Sequence, residues 1–449
     1  MGEAVDSLLA YSADGSGYDV AHRDVQSLQV KALNERFKEQ ATRIKLVELR
    51  AADAGIDEIR ELADIVPLLL PHTAYKSYPE SFLSEGKWEK LTRWLGGVSA
   101  NSTKSIDLTG VSDIDGWVDR LEEAGHFVSC SSGTTGKSAM LTATADDIAF
   151  SQRDIIGAYC WGANAEASQD ARMFGLAPVA KVPKNTALGE ALNSAFASPE
   201  KDRFAYPVPP ITVGSITGMI VLRKAIAEGR ALPEQIAAFE ATSADRQKAM
   251  SEAVGKSADA LIAARSEKLF VSGMWTSLHA IAVEIRGRGY GAKDFNPENL
   301  IYVGGGLKGA QLPENYREFV LETFNIAPHH DFQMYGMQEI QTSMPRCQEG
   351  GRYHVPPWLV CLPLDKEGDK LLPIDAGEVQ GRAAFFDLSM EGRWGGVISG
   401  DRIEVDFAPC PCGARSPSIK DNIARYSDLE GDDKIGCAGT VDAYVRGIS

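Results

Sequence analysis

The chain has 449 residues, 44% of them apolar, and its 46 Lys and Arg against 62 Asp and Glu leave a net charge of −16. That length predicts a large core divided into two or three lobes, and the acidic balance opposes extended contact with nucleic acid or an anionic membrane surface. No window reaches the roughly 18 to 20 apolar residues of a membrane helix, and the first residues lack a signal-peptide pattern, which predicts a cytoplasmic protein. The seven cysteines are irregularly spaced, so reduced thiols or metal ligands are expected rather than a disulfide framework.

The first third of the chain predicts helices followed by a strand and a loop. From about residue 25 to 70, apolar residues recur at helical spacing, and Pro67 and Pro71 end the pattern. The run 126–130 (HFVSC) predicts a short buried strand that leads directly into a loop of small residues, SSGTTGKS, at 131–138. A strand that feeds a glycine-containing loop is a common arrangement for binding phosphate.

Three later segments indicate further helices and strands. The Ala-rich, charged segment 231–265 predicts one or two helices on the surface. The run 300–303 (LIYV) predicts a second buried strand, closed by the three glycines at 304–306. From about 352 to 407, strand-length apolar pieces alternate with turn sequences, which predicts a β-rich lobe with hairpins.

The loop at 131–137 has the groups that a polyphosphate needs. Its two glycines allow close approach of the backbone, its hydroxyls donate hydrogen bonds, and its lysine supplies positive charge. These residues are Ser131, Ser132, Gly133, Thr134, Thr135, Gly136 and Lys137. A Walker A loop would require glycine where this chain has Ser131, and a flexible linker is the other alternative, although linkers seldom follow a buried strand so directly.

The string SSGTTGK resembles the phosphate loop of the adenylate-forming superfamily, closest to the phenylacetate-CoA ligases and the acyl-protein synthetases of bacterial luminescence. Those enzymes commonly have Pro where this chain has Ser138. Later motifs arrive in the order of the family, and the resemblance covers roughly residues 127–436. It implies an α/β fold, with a large core of β-sheets layered with helices and a β-rich lobe.

The resemblance implies a nucleotide site in the second half of the chain. The glycines Gly304, Gly305 and Gly306 match the turn that lies against adenine, and the run YGMQE at 335–339 resembles the family's Tyr-Gly-x-Thr-Glu. Tyr335, followed by Gly336, would then stack on adenine, and Glu339 would hold the Mg²⁺ that bridges the ATP phosphates. Gln338 stands where Thr usually contacts the α-phosphate, and its amide can still donate a hydrogen bond. By this resemblance Lys137, Gln338 and Glu339 form the catalytic set.

Two more motifs complete that site. The run SGD at 399–401 resembles the family's Thr-Gly-Asp, whose carboxylate accepts from both ribose hydroxyls, so Asp401 is expected to bind ribose. Arg425 with Asp428 resembles the Gly-Arg-x-x-Asp hinge, with Ala424 in place of the glycine. Taken singly, these residues also fit ordinary turn and surface positions, and their order along the chain is what favours the nucleotide site.

The same resemblance implies a domain plan. We expect a helical region at 1–120, an ATP-binding adenylation core at 121–425, and a vestigial start of a lid domain at 426–449. In the superfamily a lid of about a hundred residues supplies a catalytic lysine, whereas only 24 residues follow Arg425 here. The lid is therefore expected to be absent or vestigial.

The function implied is ATP-dependent conversion of a carboxylic acid into an acyl-adenylate with release of pyrophosphate, then transfer of the acyl group to a thiol. CoA ranks slightly ahead of a carrier-protein or partner-protein thiol as acceptor, and the sequence leaves room for a homodimer. Trp275 and His279 could line an acyl pocket, but such a stripe is more often plain core. The alternative is an ATP-binding regulatory protein that keeps the fold with reduced catalysis. Gln338, Ala424 and the short tail favour this alternative, and retention of both Glu339 and Asp401 opposes it.

A structural zinc site is also predicted. Cys410 and Cys412 form a C-x-C turn, and Cys347 lies seven residues before His354, giving three thiolates and an imidazole. Spacing alone leaves open whether the two pairs meet, the alternative being unconnected thiols and a separate histidine. The remaining cysteines are expected to be core residues rather than nucleophiles, namely Cys130, Cys160, Cys361 and Cys437.

Overall fold

The computed structural model describes residues 2–13, 15–130, 137–305, 307, 310–374, 377–430 and 435. Its α-helices are α1 (Glu3–Leu9), α2 (His22–Gln40), α3 (Lys45–Ala54), α4 (Ser81–Ser84), α5 (Trp88–Val98), α6 (Ile114–Glu123), α7 (Ala145–Gly162), α8 (Pro183–Phe196), α9 (Val213–Ala227), α10 (Pro233–Ala263), α11 (Trp275–Gly287), α12 (Tyr316–Thr323) and α13 (Tyr426–Glu430). Short 3₁₀ helices cover Ala10–Ala13, Ser16–Asp19, Leu62–Leu68, Ala74–Lys76 and Ala292–Asp294.

The strands are β1 (Leu70–Pro71), β2 (Phe127–Cys130), β3 (Met140–Ala143), β4 (Arg172–Gly175), β5 (Leu269–Gly273), β6 (Asn299–Val303), β7 (Ile326–Phe332), β8 (Met334–Tyr335), β9 (Met344–Pro345), β10 (Arg352–His354), β11 (Leu359–Cys361), β12 (Glu378–Asp387), β13 (Gly396–Asp406), β14 (Ser418–Lys420) and β15 (Ala424–Arg425). The predicted α/β class and the β-rich region after residue 352 are both confirmed.

Local signals explain where several helices begin and end. The Asp113 carboxylate caps α6 by accepting from the Gly116 amide at 2.8 Å, as expected for an aspartate at a helix start. Helix α3 ends at Gly55, whose φ of 66° is the left-handed conformation that glycine adopts at low cost. Pro233 occupies the first position of α10, where its missing amide hydrogen removes no helical bond.

The chain divides into two compact units, which we describe separately. Unit 1 comprises Met1–Gly157, Val182–Ala187 and Met334–Ser449, and unit 2 comprises Ala158–Lys181 and Leu188–Gln333.

In unit 2, the described strands form a four-stranded parallel sheet in the order β4-β5-β6-β7. Residues of α10, α11 and α12 contribute to its core, among them Leu261, Ile281 and Val320, which are fully buried. Parallel sheets covered by helices carry apolar strands, and this explains why the run LIYV was recognisable as strand β6.

In unit 1, seven of the described strands form a sheet built around β13, and β8 pairs separately with β9. Strand β13 pairs antiparallel with β12, β14 and β15, and parallel with the two-residue strand β1. A separate antiparallel pair, β2 and β3, flanks residues 131–136 with Cys130 opposite Met140.

Helix α2 is tied to this unit through buried polar side chains. Gln29 and Gln40 donate their amides to the carbonyls of Pro357 and Met390, each at 2.9 Å. The Arg36 guanidinium donates twice to the Leu388 carbonyl, at 2.7 and 2.9 Å. Buried donors of this kind are stable only when each is hydrogen-bonded to an acceptor, so these bonds fix the position of α2 in the unit. Across the described segments, no helix has both the length and the apolar character needed to cross a membrane.

Candidate functional site

Strand β13 brings together three of the predicted nucleotide-binding residues. Its register places Asp401 opposite Arg425 of β15, and Arg425 Nε lies 3.6 Å from Asp401 Oδ1. Tyr335 in β8 donates its hydroxyl to the other carboxylate oxygen, Asp401 Oδ2, at 2.8 Å. Burial and the Asp401 carboxylate raise the pKa of Tyr335 well above its usual value, so the hydroxyl remains a donor. The result is an oriented carboxylate, 14% exposed, beside an aromatic ring.

Glu339 lies in the loop that follows β8, and the backbone after it is fixed by a buried carboxylate. Asp387, at the end of β12, accepts from the amides of Gln341 at 2.7 Å and Thr342 at 2.9 Å through the same oxygen. Asp387 is fully buried, and its other oxygen accepts from the Ser389 amide and hydroxyl. Glu339 itself is half-buried. A carboxylate on a backbone held in this way suits a hard cation such as Mg²⁺.

Gln338 stands where the motif that this segment resembles has Thr. Both its backbone and its side chain form hydrogen bonds. Its carbonyl accepts from Arg393 Nη2 at 2.9 Å, and its side-chain amide donates to Asn185 Oδ1 at 3.0 Å. This bond uses one of the two N–H groups of the amide. A contact with an α-phosphate through the other N–H would therefore not require the bond to Asn185 to break.

Lys137 is the described part of the predicted phosphate loop, and residues 131–136 lie outside the described residues. The Lys137 ammonium donates to the carbonyls of Lys76 at 3.0 Å and Tyr78 at 2.6 Å. It also lies 5.2 Å from the centroid of the Tyr78 ring, within cation–π range. The end of the loop is therefore attached to the segment that follows β1.

Lys76 is a charged residue near the predicted site residues that sequence reasoning missed. Burial lowers the pKa of Lys76, while the Glu339 carboxylate acts in the opposite direction and Arg425 adds to the lowering. Its ammonium thus belongs to the same charge cluster as Glu339 and Arg425. The apolar run 68–70 before Pro71 is visible in the sequence, but its pairing with β13, which places Lys76, is not.

The predicted glycine turn lies in unit 2. Gly304 and Gly305 directly follow β6, and Gly305 has a φ of 81°, a conformation that favours glycine. The Gly304 amide donates to the Gly273 carbonyl at the end of β5, at 2.9 Å. Gly306 lies outside the described residues. Ligands in open parallel sheets bind beyond the carboxyl ends of the strands, which is where this turn lies.

Trp275 and His279, considered above for an acyl pocket, lie in α11. Trp275 is buried in the core of unit 2 and packs edge-on against Tyr316, with ring centroids 5.3 Å apart. His279 contacts the ring of Phe319. These contacts are those of core side chains.

The four predicted metal ligands meet in unit 1. Cys347 Sγ lies 3.7 Å from Cys410 Sγ, and Cys412 Sγ lies 3.5 Å from His354 Nε2. The four ligand atoms all lie within 4.8 Å of one another. A disulfide would require a sulfur separation of about 2.05 Å, so the two thiols are not bonded. Metal–ligand distances of about 2.3 Å to sulfur and 2.0 Å to nitrogen give tetrahedral edges of about 3.8 and 3.5 Å, close to those observed.

Neighbouring residues shape this cluster. His354 Nδ1 lies 2.8 Å from the Ser416 hydroxyl, and this contact orients Nε2 toward the thiols, as a hydrogen bond to the other ring nitrogen does for metal-binding histidines. A Cβ on Gly350 would lie 2.4 Å from Cys410 Sγ and 3.0 Å from Cys347 Sγ, so only glycine fits there. Of the other cysteines, Cys130 and Cys361 are buried in strands, Cys160 is half-buried, and Cys437 lies outside the described residues.

Solved structures of 2-hydroxyisobutyryl-CoA ligase resemble this chain. The ligase in its postadenylation state with R3-HIB-AMP aligns with a TM-score of 0.52 at 11% identity, covering 92% of this chain and 70% of the ligase. Its open conformation with 2-HIB-AMP and CoA gives 0.52 at 12%, covering 92% and 77%, and its thioesterification state gives 0.52 at 12%, covering 91% and 70%. No protein-family model matches the amino-acid sequence, and no curated protein matches it either. The chain therefore has the α/β fold of the adenylate-forming CoA ligases.

Proposed function

We propose that this protein binds ATP with Mg²⁺ and activates a carboxylic acid as an acyl-adenylate. The observation that carries the proposal is the Tyr335–Asp401–Arg425 group in the same unit as the fixed Glu339 loop. The fold supports it, because the 2-hydroxyisobutyryl-CoA ligase structures contain acyl-AMP.

Each residue has a defined part in binding the nucleotide. Asp401 would accept from the ribose hydroxyls, since a carboxylate offers two oxygens for two donors. The ring of Tyr335 would stack on adenine while its hydroxyl holds Asp401 in place. Lys76 and Lys137 would supply positive charge toward the phosphates, and Glu339 would hold Mg²⁺, which neutralises phosphate charge when bound.

The reaction needs positioning more than covalent help from the protein. A carboxylate oxygen of the acid attacks the α-phosphorus, a new O–P bond forms, and the bond to the β-phosphate oxygen breaks to release pyrophosphate. Repulsion between the acid and the polyphosphate opposes this approach, so cationic groups and a fixed geometry lower the barrier. The acyl group would then pass to a thiol, with CoA ranked first because the ligase structures include CoA.

We propose in addition that Cys347, His354, Cys410 and Cys412 bind a structural Zn²⁺. Thiolates and imidazole are the ligands that zinc prefers, and four protein ligands leave no position for water or substrate. The metal would link the turn before β10 to the turn before β14.

Acid-dependent exchange of labelled pyrophosphate into ATP tests the main proposal. Because adenylation is reversible, purified protein with Mg²⁺ should exchange label only when a suitable acid is present. Aryl, arylacetic, hydroxy and fatty acids would be compared as substrates. Exchange that requires no acid, or none with any acid despite measurable ATP binding, would contradict the proposal, and the second result would favour a regulatory ATP-binding protein.

Asp401→Asn should weaken ATP binding about 10- to 100-fold, because hydrogen bonds to a charged acceptor contribute roughly 1.5–3 kcal/mol each. Calorimetric titration with ATP and Mg²⁺ measures the change. The exposed Asp119→Asn on α6 is the matched control and should retain wild-type affinity. Equal affinity in the Asp401 variant would remove this residue from the nucleotide site.

A further inference from the structure

Lys184 is a buried lysine that contacts the Glu339 loop on both sides of the glutamate. It is the second residue of α8 and only 8% exposed. Its ammonium donates to the Met337 carbonyl at 3.3 Å and also to the Ile340 carbonyl. These carbonyls bracket Gln338 and Glu339, so one cation contacts the backbone on either side of the two residues.

The charges around Lys184 come from several elements. The anions that face it are Asp387 of β12, Asp154 of α7 and Glu339 itself, and the cation is Arg393. Asp154 also holds the loop, since its carboxylate accepts from the Ser343 amide at 2.7 Å. Cations therefore hold carbonyls of this loop, and buried carboxylates hold its amides.

Stability alone gives no reason for a lysine at this position. Removing an ammonium from water costs several kcal/mol, and an apolar side chain of similar size is often as stable or more so. Burial and Arg393 lower the pKa of Lys184 to about 8 despite the three neighbouring carboxylates, so the surroundings disfavour its charged form. A costly buried charge that contacts a functional loop suggests a role in that loop.

We propose that Lys184 is a positioning residue that directs the Glu339 carboxylate toward the metal–nucleotide complex. The inference rests on the proposed function, because it assumes that Glu339 binds the metal. Lys184 contacts the loop carbonyls and not the reacting atoms, so it acts through Glu339.

Two effects of Lys184 on metal binding have opposite signs. The ammonium repels a divalent cation at Glu339, and this effect alone would make removal of Lys184 strengthen metal binding. Positioning acts the other way, since a loop without the contacts at Met337 and Ile340 fixes the Glu339 backbone less closely, even though Arg393 still holds Gln338. A small misplacement of a functional group can cost up to about a hundredfold, so we expect positioning to prevail.

The test measures binding of Mn²⁺ with ATP by electron paramagnetic resonance. Lys184→Met should raise the Kd for Mn²⁺ by about tenfold or more, and Lys184→Arg, which keeps the charge and the donors, should recover part of the loss. The control is Lys181→Met, an exposed lysine three residues earlier, which should match wild type. Circular dichroism checks the fold of each variant.

Thermal unfolding of each variant without metal separates positioning from general destabilisation. Lys184→Met should unfold at or above the wild-type temperature, because an apolar side chain of similar size avoids the cost of burying an ammonium, while its Kd for Mn²⁺ rises. A purely structural role would instead lower both the unfolding temperature and the metal affinity.

Each outcome decides the inference. A folded Lys184→Met protein with wild-type or tighter Mn²⁺ binding overturns it while leaving the proposed function in place. Should Lys184→Met fail to fold, Lys184→Gln replaces it: wild-type Mn²⁺ binding in that variant overturns the inference, and a raised Kd supports it. Wild-type protein that binds no Mn²⁺ with ATP would overturn both the proposed function and this inference.

Discussion

Glu339→Gln is expected to lower acid-dependent pyrophosphate exchange by about a hundredfold or more, the usual loss when a group that stabilises transition-state charge is removed. The amide has nearly the shape of the carboxylate but no charge to hold Mg²⁺. The loop itself should keep its conformation, because Asp387 and Arg393 hold its backbone and not its side chain. Initial rates at saturating ATP and acid measure the effect.

The control for this variant is Glu404→Gln, the same substitution on β13 at a residue that pairs with Lys420 and Asn422 on the sheet surface. It should exchange pyrophosphate at the wild-type rate. If Glu339→Gln also does so, Mg²⁺ is held elsewhere and the assignment of this motif is wrong.

Loss of the proposed zinc should destabilise the protein strongly. Elemental analysis of purified protein is expected to find about one zinc per chain. Cys412→Ser should abolish this metal and lower stability by about 2–4 kcal/mol, since a structural zinc contributes its binding free energy to folding. Thermal unfolding with and without a strong chelator measures the effect.

Cys361→Ser provides the comparison for zinc. Burial raises the pKa of Cys361 to about 12, so this thiol in β11 is not a ready ligand. Zinc content should stay at one per chain in this variant, although a buried hydroxyl itself costs some stability. If wild-type protein contains no metal and its stability is not reduced, the four residues are ordinary packing residues and not zinc ligands.

The sequence was most informative where function depends on local spacing. The strands before the serine-glycine loop and before Gly304 were predictable, because each is a continuous apolar run that ends in small residues. The four possible zinc ligands were also identifiable, because each pair lies within a few residues. The two pairs come together because β10 pairs with β14, which sets His354 opposite Ser418. The spacing of the residues in the sequence does not determine this strand pairing.

Residues placed by long-range pairing were not predictable from sequence. Lys76 joins the charge cluster because the two-residue strand β1 pairs with β13, and a strand that short has no detectable period. Lys184 looks like an ordinary lysine in the first turn of a helix. Only its burial against Met337 and Ile340 distinguishes it from Lys181, which is exposed.

The buried hydrogen bonds of helix α2 affect when this part of the protein can fold during synthesis. Its buried donors reach carbonyls 328 to 352 positions later in the chain, and chains emerge from the ribosome amino terminus first. Gln29 and Arg36 therefore remain hydrated, and helix α2 cannot pack, until residues near 390 have been synthesised. Contacts so distant in sequence form slowly. Nascent chains should thus gain protease resistance in this unit, and the nucleotide binding proposed for it, only late in synthesis.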